Sequence, residues 1–313
     1  MFTNPMDRGK RNIPRGQAIN MGQEVKDMSD GFDCALALLP ESIRAAAERA
    51  ALPRERTEEF RLRASRPPTA LLGDKEIPLR AAPVTAEELQ CVLDAATQCS
   101  FHAAADELRR GFISARGGVR VGVCGTAVTD GAVRALREIS SVSIRVPRQI
   151  RTAGENIMES LKEVSVLILS PPGAGKTTFL REIVRVASDA GERVGLADER
   201  GEIAAVWRGV PQFDVGAHTD VLTGAPKAEA ALMLLRAMNP RVIALDEISA
   251  PEDVSAVLRI AGCGVRVFAT VHAASVEALR ARRAYREVLD AGFFEKAVLI
   301  SGGRERTYRV APL

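Results

Sequence analysis

Hydrophobic positions follow two different patterns along this chain, and the change between them falls near residue 150. From about residue 155, short apolar runs alternate with amphipathic helical stretches, an order typical of a parallel sheet with crossover helices. The predicted strands are 164–169, 193–197, 241–245, 265–270 and 297–300, with a last strand near 306–310. The second half of the chain is therefore predicted to be α/β, with its boundary within 148–156.

The first half has a mixed pattern of helices and strands. The predicted helices are 39–52, a helix through Thr97 that opens on the capping box Thr85-Ala86-Glu87-Glu88, and one around 101–110. The predicted strands are 59–64, a hairpin of 112–114 with 119–123, and 142–146. Residues 1–30 are polar and aperiodic. We therefore expect a flexible basic tail at 1–30, a small mixed α+β domain at 31–150 and an α/β domain at 151–313.

A glycine-rich segment follows the first apolar strand of the α/β half and precedes an amphipathic helical pattern ending at Gly191. Glycines let backbone N–H groups converge on a phosphate, and the helix N-terminus adds positive potential. We interpret the segment as a P-loop, in which Lys176 would reach the β/γ-phosphates and Thr177 would ligate Mg²⁺. A glycine turn without a ligand is the alternative. The predicted nucleotide-binding residues are Pro172, Gly173, Ala174, Gly175, Lys176, Thr177 and Thr178.

One position departs from the strict P-loop pattern. Ser170 stands where that pattern has its first glycine. Serine is small, so we expect strained but workable geometry. The departure leaves the rate of any hydrolysis open.

A second strand of the α/β half ends in two acidic residues. The apolar run 241–245 leads directly into Asp246 and Glu247, as in a Walker B element. Asp246 would hold Mg²⁺ through its water shell, and Glu247 would polarise the attacking water. Placed downstream of a P-loop, this strand predicts a site for nucleotide hydrolysis.

Polar residues also follow two other strands. Asp198 and Glu199 come after strand 193–197 and are expected beside the γ-phosphate, because ligands bind at the carboxyl ends of parallel strands; a surface charge cluster is the alternative. Thr270 and His272 are candidates to sense the γ-phosphate or link it to a neighbouring subunit, with a simple strand exit as the alternative. The predicted catalytic residues are Glu247, Lys176, Glu199 and His272, and the predicted metal ligands are Thr177 and Asp246. Arg208, Arg236 and Arg241 are weaker candidates for charge stabilisation in trans.

Composition narrows the class of protein. The 313 residues and 46% hydrophobic content allow two domains with real cores. No apolar run approaches the roughly 18 residues of a membrane span and no signal-peptide core is visible, so we expect a soluble, intracellular protein. The net charge of +3 resides in the first twenty residues, and the rest carries 39 basic and 39 acidic side chains. A neutral body with 4% aromatic residues argues against nucleic-acid binding.

Several further stretches carry a resemblance to a known family. They are 107–113, 117–122, 137–141, 198–203, 219–222 leading into 226–229, and 236–240. Over about residues 31–313 the chain resembles the stage III sporulation protein AA family, ATPases related to the secretion-type (type II and IV) ring ATPases. The resemblance makes Asp198 and Glu199 the acidic box and His272 the histidine box. Val119 stands where we expect His in relatives.

The resemblance implies a RecA/secretion-ATPase-like P-loop NTPase that uses ATP and Mg²⁺. It also implies a homo-oligomeric, hexameric ring whose N-terminal domain closes over nucleotide at subunit boundaries. The expected partners are membrane-embedded sporulation channel proteins, and the expected location is the mother-cell cytoplasm, at the membrane only through those partners. We therefore predict an Mg²⁺-dependent ring ATPase. An ATP-gated assembly scaffold with little turnover, consistent with Ser170, is the first alternative, and a nucleic-acid translocase is the less favoured second.

Overall fold

The computed structural model describes residues 19–20, 29–100, 104–302 and 306–313. The α-helices are α1 Ser29–Ala37, α2 Glu41–Arg49, α3 Ala86–Thr97, α4 Ala105–Arg109, α5 Gly154–Leu161, α6 Lys176–Asp189, α7 Lys227–Ala237, α8 Pro251–Gly262, α9 Val276–Arg280 and α10 Arg283–Asp290. The strands are β1 Ile19–Asn20, β2 Thr57–Arg63, β3 Thr69–Leu72, β4 Lys75–Pro78, β5 Phe112–Ser114, β6 Arg120–Thr129, β7 Val133–Arg145, β8 Ser165–Ser170, β9 Val194–Asp198, β10 Thr219–Thr223, β11 Val242–Leu245, β12 Arg266–His272, β13 Phe294–Ile300 and β14 Thr307–Pro312.

The first half forms a six-stranded antiparallel sheet in the order β4-β3-β2-β7-β6-β5. Strand β2 shows why this sheet has one covered face, since Phe60 and Leu62 alternate with partly exposed residues and are themselves fully buried. Their side chains share a core with residues of α1, α2 and α3. The capping box of α3 is present as predicted, with Thr85 and Glu88 bonding each other's backbone N–H.

Several predictions for this half need correction. Strand β7 begins at Val133 and not at the predicted residue 142. Its first half is largely exposed and lacks alternating burial, so its sequence gives no strand signal. The β3–β4 hairpin was not predicted, since β4 is exposed at every position. The helix predicted at 39–52 is the shorter α2, which begins after Pro40. Helix α1, on the other side of this proline, was not predicted. Helix α4 occupies part of predicted 101–110, and residues 101–103 lie outside the described range. So does the predicted tail, except for 19–20 and 29–30.

The second half forms an eight-stranded sheet in the order β1-β14-β13-β8-β12-β11-β9-β10. The six strands from β13 to β10 run parallel, and five of them were predicted. The last predicted strand, β14, differs from the predicted parallel arrangement because it pairs antiparallel with β13, and β1 pairs antiparallel with β14. Strands β8, β9 and β11 are buried at every residue, which explains their continuous apolar runs. Strand β10 was not predicted; its partly exposed edge position gives a weaker apolar signal.

Helices cover both faces of this parallel sheet. Helix α6 buries Phe179, Ile183 and Ala187, at helical spacing, in a core shared with α5. Helices α7, α8, α9 and α10 pack on the opposite face. This three-layer arrangement presents the carboxyl ends of β8, β9, β11 and β12 together at one edge, where a ligand site is expected.

The two halves of the chain contact each other largely through the segment between β9 and β10. The backbone N–H of Gly117 donates to Gln212 at 2.8 Å, and Arg148 donates to the carbonyl of Thr57 at 2.9 Å across the connection between the halves. Arg120 on β6 pairs with Glu202 at 3.0 Å. The N-terminal sheet is thereby positioned over one side of the P-loop helix. In the described part of the chain, no helix has the length and apolarity to cross a bilayer.

Candidate nucleotide-binding site

The predicted P-loop connects β8 to α6, as the sequence order requires. Gly173 has φ of +74° and Gly175 has φ of +94°, a left-handed region that favours glycine. Space at Gly173 is open, so its glycine is explained by backbone conformation and not by crowding. Gly175 is the N-cap of α6, and its carbonyl accepts the N–H of Phe179 at 2.9 Å. The segment thus bends around the helix N-terminus, the geometry of a phosphate cradle.

Ser170 fits its position without the strain expected from the sequence. It is the last residue of β8, is buried, and does not have a positive φ. Its hydroxyl donates to the carbonyl of Pro171 at 2.9 Å. A glycine's conformational freedom is not needed here, and the serine hydroxyl is satisfied locally.

Asp246 lies between two threonine hydroxyls. Thr177 at the start of α6 donates to Asp246 Oδ2 at 2.8 Å, and Thr270 on β12 donates to Asp246 Oδ1 at 2.6 Å. The fully buried Thr270 also accepts the N–H of Glu247 at 2.7 Å. A hydroxyl and a carboxylate brought together beside the P-loop are the hard oxygen donors that suit Mg²⁺, so Thr177 and Asp246 fit the predicted metal role.

The other predicted catalytic groups meet at the end of β12. The buried Lys176 Nζ lies 2.9 Å from His272 Nε2, and the same ring nitrogen lies 3.3 Å from Glu247 Oε1. The single ring nitrogen Nε2 thus faces both the lysine of the P-loop and the carboxylate after β11. Nδ1 is buried without a hydrogen-bond partner in the described chain. Glu247 adopts φ of +52°, a strained backbone that turns it off the end of β11.

Glu199 is linked to Glu247 by Lys227, a residue to which the sequence motifs gave no role. Lys227, the first residue of α7, lies 3.5 Å from Glu199 Oε2 and donates to the Glu247 carbonyl at 3.1 Å. A cavity of about 130 Å³ is lined by Lys176, Thr177, Asp198, Glu199, Lys227, Asp246 and Glu247, among others. Lys227 is in one of the stretches that carry the family resemblance, which is the signal that pointed towards it.

Asp198 holds the backbone of the loop that follows β9. It is buried, and its two carboxylate oxygens accept the backbone N–H groups of Glu202, Ile203 and Ala204. Burial raises the pKa of Asp198, while these N–H groups oppose the rise. Its carboxylate is therefore largely committed to the backbone of this loop.

Arg181 secures the same loop from α6. It donates to the carbonyls of Ile203 and Glu202 and lies over the ring of Phe213, 4.2 Å from the centroid. Burial lowers the pKa of Arg181 to about 10, a value that still leaves it charged at neutral pH.

A larger cavity of about 450 Å³ lies between the P-loop helix and the N-terminal sheet. Thr177 and Thr178 line it from α6, and Arg120, Arg145 and Arg148 line it from the N-terminal half and the connection. Because Thr177 lines both cavities, they meet at the P-loop. A basic cavity beside a helix N-terminus suits an anionic ligand. Arg208, Arg236 and Arg241 are exposed and do not line either cavity.

The strand, glycine loop and helix, with an acidic strand end against Thr177, define a P-loop NTPase fold. The family model for sporulation stage III, protein AA matches residues 33–309, and the chain belongs to this family. It is 34% identical over 276 residues to the stage III sporulation protein AA of Bacillus subtilis (strain 168), covering 84% of this chain and 89% of that protein.

Solved structures of similar fold include a pilus retraction motor and another bacterial ATPase. The pilus retraction motor PilT with bound ADP aligns with a TM-score of 0.61 at 16% identity, covering 86% of this chain and 82% of that one. The Legionella pneumophila ATPase DotB aligns with a TM-score of 0.53 at 15% identity, covering 84% and 76%. At such identities the likeness shows the fold, and the predicted fold class is confirmed.

Proposed function

We propose that this protein is an Mg²⁺-dependent ATPase whose active site is the P-loop with the ends of β11 and β12. The observation that carries the proposal is the contact of Thr177 with Asp246 at 2.8 Å, directly beside Lys176 and Glu247. A P-loop hydroxyl, a strand-end carboxylate, a buried lysine and a second carboxylate are together the set that phosphoryl transfer to water uses.

Each side chain has a distinct task in this proposal. Lys176 neutralises phosphate charge, and Thr177 and Asp246 hold Mg²⁺, which when bound offsets the charge of the β- and γ-phosphates. Glu247 orients the attacking water and accepts its proton. His272, which contacts both Lys176 and Glu247, reports whether the γ-phosphate is present. Glu199, held by Lys227, supplies a further acidic group at the same edge.

The assembly and cellular role are part of the same proposal. The chain would act as a hexameric ring in the mother-cell cytoplasm and drive a membrane-embedded sporulation channel. The regions 31–150 and 151–313 would move relative to each other as nucleotide turns over. Support comes from the basic cavity between the two sheets and from family membership. The assembly scaffold loses its main support, since Ser170 shows no strained backbone.

The test is phosphate release from ATP with Mg²⁺, measured across protein concentration for the wild type and for Lys176→Ala. Lys162→Ala, which removes an exposed lysine between α5 and β8, is the matched control. We expect turnover that rises more than linearly with concentration and is abolished by Lys176→Ala alone. Nucleotide binding with no turnover under any condition would favour the scaffold, and turnover unaffected by Lys176→Ala would refute the proposed site.

A further inference from the structure

Arg306 lies against the P-loop on a side that no sequence motif pointed to. A β-carbon placed on Gly175 would lie 2.7 Å from Arg306 Nη1 and 2.9 Å from its Cζ, so the guanidinium packs directly on the glycine. Any other residue at this position would displace the arginine. Gly175 is thus required by its φ of +94°, and a side chain there would also move the guanidinium away from the P-loop.

The sheet order explains how a residue so late in the chain reaches the P-loop. Strand β13 runs parallel to β8, and β14 returns antiparallel beside β13, so the end of β13 and the start of β14 lie near the end of β8. Ser301 closes the base of the turn, since its N–H donates to the carbonyl of Thr307 at 3.1 Å and its hydroxyl lies 2.7 Å from Thr307 Oγ1. Arg306 directly precedes Thr307 and is positioned by this closure.

The same order separates Arg306 from the groups proposed for hydrolysis. Strand β12, which ends at His272, and strand β11, which Asp246 follows, lie on one side of β8, and β13 lies on the other. A nucleotide whose γ-phosphate faces His272 therefore directs its α- and β-phosphates towards the side of Arg306. The two sides of the P-loop would then contact different parts of one ligand.

The guanidinium has capacity for such a ligand. Arg306 Nη1 is buried and has no hydrogen-bond partner among the described residues. A buried donor without a partner is costly, and a phosphate oxygen is the acceptor that a guanidinium matches best, through two parallel N–H bonds. Nη1 is therefore able to donate to an anion beside the phosphate cradle.

We infer that Arg306 binds the α/β-diphosphate of the nucleotide from the side of the P-loop opposite His272. The inference rests on the proposed nucleotide site. An interaction with the α- and β-phosphates is present with ATP and with ADP, so it sets the affinity for both nucleotides. The β-phosphate gains negative charge as the leaving group, so Arg306 would also assist the chemical step, to a smaller extent than the groups around the γ-phosphate.

The experiment measures equilibrium binding of fluorescent ADP and of a non-hydrolysable ATP analogue, with kcat at saturating ATP. The variants are Arg306→Gln, Arg306→Lys and, as matched control, Arg309→Gln on the exposed side of β14. We expect Arg306→Gln to weaken binding of both nucleotides about tenfold or more, with a smaller fall in kcat. Arg306→Lys should lose less, because it keeps the charge but not the fork. Arg309→Gln should bind like the wild type.

The outcomes separate this inference from the proposed function. Wild-type binding that Lys176→Ala abolishes, together with unchanged affinity in Arg306→Gln, would overturn the role of Arg306 and leave the nucleotide site standing. A loss confined to the ATP analogue would place Arg306 at the γ-phosphate and overturn the assignment. Equal losses in Arg309→Gln would reduce it to a general charge effect. If the wild type bound neither nucleotide, both proposals would fail. Should Arg306→Gln misfold, Arg306→Lys carries the same comparison.

Discussion

The two sheets of this protein differ in how their strands are buried. In the eight-stranded sheet, β8, β9 and β11 are buried at every residue between two layers of helices. In the six-stranded sheet, β2 alternates buried and partly exposed residues, and β4 is exposed throughout. The parallel sheet is covered on both faces and has polar groups at the carboxyl ends of its strands, and the antiparallel sheet has one face open to solvent.

This difference indicates where each region contributes to function. Strands buried on both faces can place polar groups only at their ends, so Ser170, Asp246 and His272 meet at one edge of the parallel sheet. The antiparallel sheet contributes arginines, such as Arg120 and Arg145, from the side of the cavity. Substitutions at the carboxyl edge of the parallel sheet should therefore affect ATP turnover strongly, and substitutions between the two regions should affect it weakly.

The largest expected effect is at the end of β11. Glu247→Gln keeps the size of the side chain but removes the base, so turnover should fall by about 10²- to 10⁴-fold while nucleotide binding remains within a few-fold. Phosphate release and equilibrium binding measure the two quantities. Glu252→Gln, the same change at an exposed position of α8, is the control and should leave both unchanged. Full turnover in Glu247→Gln would show that ATP hydrolysis does not depend on this end of the parallel sheet.

The next effect concerns helix α6, where it contacts Arg151 of the connection between the two regions. Glu182 on α6 is 3% exposed; its carboxylate contacts Arg151 and Arg185, with the carboxylates of Glu155 and Asp214 nearby. Burial, the largest cause, raises the pKa of Glu182 from 4.5 to about 7. Between these values the folded protein holds a proton that the unfolded chain releases. This stabilising contribution is complete below about pH 4.5 and is lost as pH rises through about 7.

Glu182→Gln should remove that pH dependence. The wild type should lose up to about 3 kcal/mol of unfolding free energy from this group between about pH 4.5 and pH 8, and the glutamine variant should not. Urea unfolding at about pH 5 and pH 8 measures the difference, with Glu252→Gln as the control for a lost surface charge. Parallel pH profiles for wild type and Glu182→Gln would contradict the prediction.

A smaller effect is expected at Thr270. Thr270→Val keeps the shape of the side chain but loses the bond to Asp246 at 2.6 Å and the acceptor for the Glu247 N–H at 2.7 Å. The buried N–H left without a partner should cost about 1–3 kcal/mol of unfolding free energy, and turnover should fall as Asp246 loses its orientation. Urea unfolding and phosphate release measure these losses. The exposed Thr129→Val serves for comparison, and equal results in both variants would exclude a special role for Thr270.

The smallest effect is expected between the two sheets. Arg120 and Glu202 pair at 3.0 Å, but their side chains are 31% and 44% exposed. A double-mutant cycle with Arg120→Gln and Glu202→Gln should give a coupling free energy below about 1 kcal/mol. Urea unfolding of the four proteins measures it. A coupling of several kcal/mol would mean that this ion pair strongly stabilises the contact between the two regions.

The two sheets also differ in how clearly the sequence predicts their strands. The continuous apolar runs predicted β8, β9, β11, β12 and β13 close to their observed bounds. In the antiparallel sheet, the exposed first half of β7 and all of β4 gave no such signal. Burial on both faces leaves a clear record in the sequence, and burial on one face or none leaves a weak one.

By itself, the sequence determined the features that reside within a few contiguous residues. The P-loop, the acids after β11 and the Thr85–Glu88 capping box depend on local backbone chemistry, which neighbouring residues specify. The sequence also predicted that strand ends would meet at one edge, but not which side chains would touch.

The tertiary structure alone decided the partners of those features. Thr177 meets Asp246 across 69 positions of the chain, Lys227 lies between Glu199 and Glu247, and Arg306 packs on Gly175. The order β14-β13-β8-β12-β11-β9 brings these groups together. Hydrophobic periodicity states that a strand is buried but not which strand lies beside it, because that order is set by the packing of the whole sheet.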